Sequence, residues 1–136
     1  MSQALSFLRG TTRGRLIAVF GCAGDRDPDR RAGMGRVAAR QADYSVVTSE
    51  NTWTEPPEAV IAAAVAGLAA AGGRYAVRAD RPEAIRHGLS LAGPDDTVLV
   101  AGMGHEQTMI VAGRPQPWED RAVIRELLCA ATSWAM

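Results

Sequence analysis

The strongest constraint on how this chain folds is an alternation in its residue pattern. Short runs of β-branched and apolar residues stop at glycine or at polar clusters, and segments with helical spacing lie between them. The run "RLIAVF" (Arg15–Phe20) ends at glycine and reads as a buried strand. "MGRVAARQA" (Met34–Ala42) places apolar residues at helical intervals, and "YSVVTS" (Tyr44–Ser49) returns to strand character. "PEAVIAAAVAGLAAAGG" (Pro57–Gly73) has proline at its start, glutamate in its first turn and two glycines at its end, the signals that open and close a helix. "RYAVRA" (Arg74–Ala79) is a brief strand, "RPEAIRHGLSLAG" (Arg81–Gly93) a helix and "DTVLVAG" (Asp96–Gly102) the most pronounced strand. "QTMIVAG" (Gln107–Gly113) is expected to pair locally as a further strand, and "WEDRAVIRELLCAAT" (Trp118–Thr132) to form an amphipathic helix. Strands separated by helices predict an α/β domain with a mainly parallel sheet. At 136 residues, with no internal repeat or linker, residues 1–136 are read as one domain with its own core.

Composition narrows the function classes. The formal net charge is zero, which argues against a nucleic-acid or anionic-membrane surface, since both require a positive field. All 15 basic residues are arginine. A Schiff-base lysine, a lysine nucleophile and the P-loop lysine are therefore excluded, and bidentate arginine remains as the cationic tool for carboxylate or phosphate. Cys22 and Cys129 lie far apart, match no metal spacing and read as reduced thiols. No apolar run reaches transmembrane length and no signal-peptide pattern opens the chain, so a soluble, cytoplasmic protein is expected.

In open α/β sheets the working groups gather on loops beyond the carboxyl ends of the strands. Three such loops are polar: "GCAGDRDPDRR" (Gly21–Arg31), "SENTWTEPP" (Ser49–Pro57) and "GMGHE" (Gly102–Glu106). In the first, two glycines admit backbone approach and Arg26, Arg30 and Arg31 suit an anion, although Asp25, Asp27 and Asp29 equally suit a locally neutralised solvent loop. Its G-x-x-G pattern is not a dinucleotide fingerprint. In the second, Asn51 suits a ligand amide or carboxylate, and turn chemistry ahead of a helix is the plainer account. The third is a weak phosphate nest, because an apolar run rather than a helix follows it. His105 and Glu106 are adjacent; in an extended segment they point to opposite faces and do not act as a couple. A Cys22–His105 nucleophilic pair is conceivable, and a buried structural cysteine is the simpler reading. His87, Trp118 and Trp134 read as surface or packing residues.

Taken together, "VFGCAGDRDPDRRAGMGRVAARQADYSVVTSEN", "VLVAGMGHE" and "WEDRAVIRELL" resemble the C-terminal domain of the Mur ligases, over about Arg15 to Leu128 and with order and spacing kept. The likeness is closest to the branch that adds the third amino acid of the peptidoglycan stem peptide. The resemblance implies a Rossmann-like three-layer α/β/α sandwich, with a mainly parallel sheet and one antiparallel strand. It implies that residues 1–14 are a partial N-terminal helix and connection, the family's first strand being absent. It also implies an amino-acid pocket. Arg31 is similar to an arginine that grips the incoming amino acid's carboxylate, Asn51 to the asparagine of a D-N-P-R motif in enzymes that take diaminopimelate. Gly102 and Glu106 match the positions that hold the distal end of that ligand. Asp25, Arg26 and Asp27 stand as nucleotide or anion contacts, and Gly104 and His105 as supporting residues.

The departures from the family pattern are Thr52 and Trp53, where D-N-P-R has proline and arginine, and Met103, where G-K-G-H-E has lysine. No cofactor is expected in this chain. ATP and Mg2+ would belong to the full-length ligase, whose upstream ATP-binding domain is a partner together with the UDP-muramoyl peptide and the amino acid, whether diaminopimelate, lysine or another. Two readings stay open: the amino-acid-binding domain of an ATP-dependent ligase, and a free-standing, non-catalytic Mur-like binding module.

Overall fold

The computed structural model describes the backbone of residues 1–135 and the side chains of residues 1–131, so the Trp134 side chain lies outside the described residues. The elements run α1 (Ser2–Thr11), β1 (Leu16–Phe20), α2 (Pro28–Gln41), β2 (Tyr44–Val47), α3 (Pro57–Ala70), β3 (Tyr75–Val77), α4 (Arg81–Leu91), β4 (Thr97–Val100), β5 (Thr108–Val111), β6 (Arg114–Pro117) and α5 (Asp120–Ala135). The α/β architecture expected from the alternation is present, and the helices start where local chemistry dictates. Asp27 accepts from the Asp29 N–H at 3.0 Å and Pro28 fills the first turn, so α2 begins at Pro28 rather than at Met34. Arg30 and Arg31 thus lie on a helix, not in the loop assigned to them by their polar context. In the same way Asp80 caps α4 through the Glu83 N–H, with Pro82 in the first turn.

Four strands form one parallel sheet in the order β3-β2-β1-β4. β1 is central, and all five of its residues are fully buried, as expected for a strand covered on both faces. Alternation divides its side chains between two cores. Leu16, Ala18 and Phe20 face a cluster with Leu5 of α1, Ala38 of α2 and Val60, Ala64 and Leu68 of α3. Val19 faces the other way, toward Val46, Ala84 and Ile85, with Val123, Ile124 and Leu127 of α5 packed alongside.

As expected for Gln107–Gly113, β5 pairs locally and antiparallel; its partner is β6, in a two-stranded ribbon separate from the main sheet. Ala112 and Gly113 both take positive φ, 52° and 77°, which gives the two-residue turn whose twist suits a hairpin.

α2 and α3 pack against each other at two glycines. A Cβ on Gly35 would collide with the Ala64 carbonyl, and one on Gly67 with the Ala32 carbonyl, so backbone meets backbone across this contact. Gly35→Ala is therefore expected to destabilise the domain by roughly 1–3 kcal/mol. Gly10→Ala, on a helix face with open space around it, should instead stabilise by about 0.5–1 kcal/mol. Chemical denaturation of the two variants checks the opposite signs.

Candidate functional site

Because β1, β2 and β4 are parallel, the loops that leave them emerge on one edge of the sheet, and they are bonded to one another there. The Gly24 N–H donates to the Asn51 carbonyl at 2.8 Å, and the Asp25 N–H to Glu55 Oε1 at 2.7 Å. Thr54 Oγ1 donates to Asp25 Oδ1 at 2.9 Å. Arg31 donates from Nη1 to Glu55 Oε2 at 2.9 Å and also bonds Oε1, closing a bidentate pair between α2 and the loop ahead of α3. This pairing holds the Glu55 carboxyl below its usual range and the Arg31 guanidinium above its own.

The hairpin is latched to the second loop. The Thr52 N–H donates to the Ile110 carbonyl at 2.9 Å, the Ile110 N–H to Asn51 Oδ1 at 2.8 Å and the Ala112 N–H to Thr52 Oγ1 at 3.1 Å. The Gly113 N–H donates to the Trp53 carbonyl. Asp25 and Trp53 are held at φ 52° and 54°, so both loops carry a left-handed residue beside the cleft they enclose.

That cleft has a volume of about 1060 Å³ and is lined by guanidinium and carboxylate groups together. Its guanidiniums are those of Arg26, Arg30 and Arg31. Arg26 and Arg30 are exposed and make no hydrogen bond or salt bridge among the described residues, and Arg26 acts on Glu50 through its charge. Arg31 is only 5% exposed; Glu55 takes its two terminal nitrogens, and its Nε is buried without a partner. Glu50 and Glu106 also line the cleft and act on one another, with Gly102 against Glu50. Gly102 has φ 102°, and a Cβ there would strike Glu50 Oε2, so glycine is required for the β4 loop to approach this carboxyl. Burial pushes the Glu50 carboxyl up to about 7; Arg81 opposes the rise, and Asp120 and Glu106 add to it.

Of the residues singled out from sequence, Arg26, Asp27, Arg31, Asn51, Gly102 and Glu106 all border the cleft. Asp25 stands in an adjoining shallow depression and is spent on Thr54. Gly104 and His105 are exposed outside it. The expectation that His105 and Glu106 diverge is corrected. The segment turns rather than extends, with the Glu106 N–H on the Met103 carbonyl, and His105 Nε2 lies 3.6 Å from Glu106 Oε1. The Cys22–His105 couple does not form: the Cys22 Sγ faces Met34 Sδ at 3.7 Å, while the His105 side chain is 91% exposed. Burial, with Glu50 adding to it, pushes the Cys22 thiol up to about 12, which leaves it protonated and unreactive. Sequence reasoning passed over Glu50, Arg81 and Asp120. The first looked like one more loop carboxylate, and the other two looked like ordinary residues at helix starts.

Guanidinium and carboxylate groups lining one cleft suit a zwitterion. Among the described residues no helix is long and apolar enough to cross a membrane, and no group of three His, Cys, Asp or Glu side chains is placed to hold a metal ion.

Residues 1–104 match the family model described as "Mur ligase, glutamate ligase domain". The chain is 43% identical over 129 residues to the UDP-N-acetylmuramoyl-L-alanyl-D-glutamate–2,6-diaminopimelate ligase of Syntrophomonas wolfei, covering 94% of this chain and 26% of that protein. It is 47% identical over 117 residues to the ligase of the same name from Chromobacterium violaceum, covering 86% of this chain and 23% of that one. A solved structure of a ligase so named superposes with a TM-score of 0.89 at 34% identity, over 96% of this chain and 27% of its own. The chain thus spans about a quarter of the length of the curated relatives it matches.

The raised Glu50 carboxyl sets a pH dependence. The folded state binds the Glu50 proton more tightly than the unfolded chain, so its contribution to stability is full below the unfolded value near 4.5 and is lost as pH rises through about 7. Glu50→Gln removes the buried charge. It is expected to stabilise the domain by roughly 1–3 kcal/mol at pH 8 and by much less at pH 5, as read by thermal melts at the two pH values.

Proposed function

Because the chain belongs to the Mur ligase family, through its glutamate ligase domain, we propose that it holds the incoming amino acid of an ATP-dependent ligase that extends a UDP-N-acetylmuramoyl peptide. The single observation that carries this reading is one cleft that gathers exposed guanidiniums and a pair of carboxylates. An amino-acid carboxylate is taken by Arg26 and Arg30, with Arg31 fixed beside them by Glu55, and an ammonium by Glu50 and Glu106 beside Gly102. The names of the relatives favour 2,6-diaminopimelate as the occupant. Trp53 stands where that motif has an arginine, which leaves the guanidinium contacts to Arg26, Arg30 and Arg31, and makes lysine the competing diamino acid.

In the reaction so assigned, the acceptor carboxylate is activated as an acyl phosphate, the amine of the bound amino acid attacks it, and phosphate leaves as the amide forms. The nucleotide step belongs to the rest of the ligase. This chain has no G-x-x-x-x-G-K-[ST] and no lysine, and no ligand trio for Mg2+ among its described residues. Its own contribution is to fix the amine in line and to exclude misaligned encounters, which is catalysis by positioning. Asn51, tied by Oδ1 to the hairpin, has its amide nitrogen left to offer a ligand in the cleft.

Isothermal titration of the chain with 2,6-diaminopimelate and with lysine tests the reading. Arg26→Ala and Glu106→Gln are each expected to weaken binding by about tenfold or more, while Arg40→Ala, on the last turn of α2, leaves it unchanged. Equal affinities across all of these variants would overturn the assignment of the two groups.

A further inference from the structure

Arg81 is the largest fully buried side chain among the described residues, with 1% of its surface exposed. A guanidinium that deep needs a reason, because its desolvation is costly unless its donors are satisfied. It makes four hydrogen bonds. Nε and Nη2 donate to the two oxygens of Asp120, each at 2.8 Å; Nη1 donates to the Ser49 carbonyl at 3.0 Å and Nη2 to the Ala101 carbonyl at 3.1 Å. Asp120 is 3% exposed and also accepts from Trp118 Nε1 at 2.7 Å. The two carbonyls are not arbitrary ones. Ser49 immediately precedes Glu50 and Ala101 immediately precedes Gly102, the two residues whose contact forms the carboxylate site of the cleft.

We propose that the Arg81–Asp120 pair is the positioning device of that carboxylate site: Arg81 clamps the β2 and β4 loops at a fixed separation, and Asp120, at the start of α5, orients the clamp. The proposal rests on reading it as an ammonium site. A packing role alone needs neither the fork nor the bridging of two loops, and leucine-sized residues fill such a space at lower desolvation cost. A lysine at this position keeps the charge but cannot serve a bidentate carboxylate and two separate carbonyls together.

The clamp is also the nearest electrostatic neighbourhood of Glu50. The charged and titratable groups that face Glu50 are Arg81 from the start of α4, Asp120 from the start of α5, Glu106 from the loop after β4, and Arg26 and Cys22 from the chain leaving β1. Arg81 and Asp120 act on Glu50 in opposite directions. Neutralising Asp120 therefore leaves Arg81 with Glu50 as its remaining counter-ion.

The test is a carboxyl ¹³C NMR titration of Glu50 in the 136-residue chain without ligand, for the wild type, Asp120→Asn, Arg81→Lys and the control Asp43→Asn. Asp120→Asn is expected to lower the Glu50 midpoint by about one pH unit, and Asp43→Asn, bonded to Leu16 at the far end of β1, to leave it in place. A folded Asp120→Asn variant with an unmoved midpoint overturns the proposal. Arg81→Lys, the second variant, is expected to shift the carbonyl ¹³C resonances of both Ser49 and Ala101; resonances that stay put overturn the clamp. Titration with 2,6-diaminopimelate supplies the binding readout: Arg81→Lys is expected to lose about tenfold in affinity, and wild-type affinity in that variant overturns the positioning role. If the wild type binds no diamino acid while the Glu50 midpoint moves as expected, the ammonium reading falls and the clamp stands.

Discussion

A charge sealed inside a protein dictates what surrounds it, and in this domain the sealed charge is the Arg81 guanidinium. Its four bonds reach β2, β4 and α5 at once, so the sheet edge and the last helix share one anchor. Asp120 brings the N-terminal turn of α5 against the start of α4, and that placement lays Val123, Ile124 and Leu127 over the second face of the sheet. Fold and cleft are therefore not separable here. The contact that closes the second core also sets the distance between the two loops that bear the carboxylates.

The main sheet was legible because its strands are short apolar runs bounded by glycine and polar residues, and burial on both faces leaves little freedom in how β1 is read. The helix ends were legible where proline follows a capping aspartate, with one exception: the Asp27–Pro28 signal sits inside so polar a stretch that the first turn of α2 reads as loop. β6 was invisible for a different reason. "RPQP" has two prolines, which normally argue against a strand. In a hairpin with a two-residue turn, Pro115 and Pro117 fall on the alternate positions whose N–H groups would point away from β5, so pairing survives. At the cleft, the family resemblance pointed to Arg31, Asn51, Gly102 and Glu106, but no spacing rule connects Arg31 with Glu55, or Arg81 with Asp120. Those pairs exist only after the chain has folded, and they decide which arginines remain free to meet a ligand.

The departures from the family motif acquire structural roles. Thr52 uses its N–H on Ile110 and its hydroxyl on the Ala112 N–H; a proline there supplies neither group. A stiff turn has in effect been exchanged for a polar latch on the β5–β6 ribbon. Trp53 keeps the left-handed backbone of the loop and turns an exposed aromatic toward the cleft. Met103 is fully buried, a position that suits a thioether.

The raised pKa of Glu50 makes the proton itself an occupant of the cleft. Around neutrality the domain is a mixture of two species, one with a neutral carboxyl that has nothing to offer a cation and one with a carboxylate that does. On the proposed reading of the cleft as an amino-acid site, an ammonium group selects the second species and drives the proton out into the medium. Proton and ligand thus compete for one pair of oxygens, so the heat of association measured near neutral pH carries the ionisation enthalpy of whichever buffer receives the displaced proton.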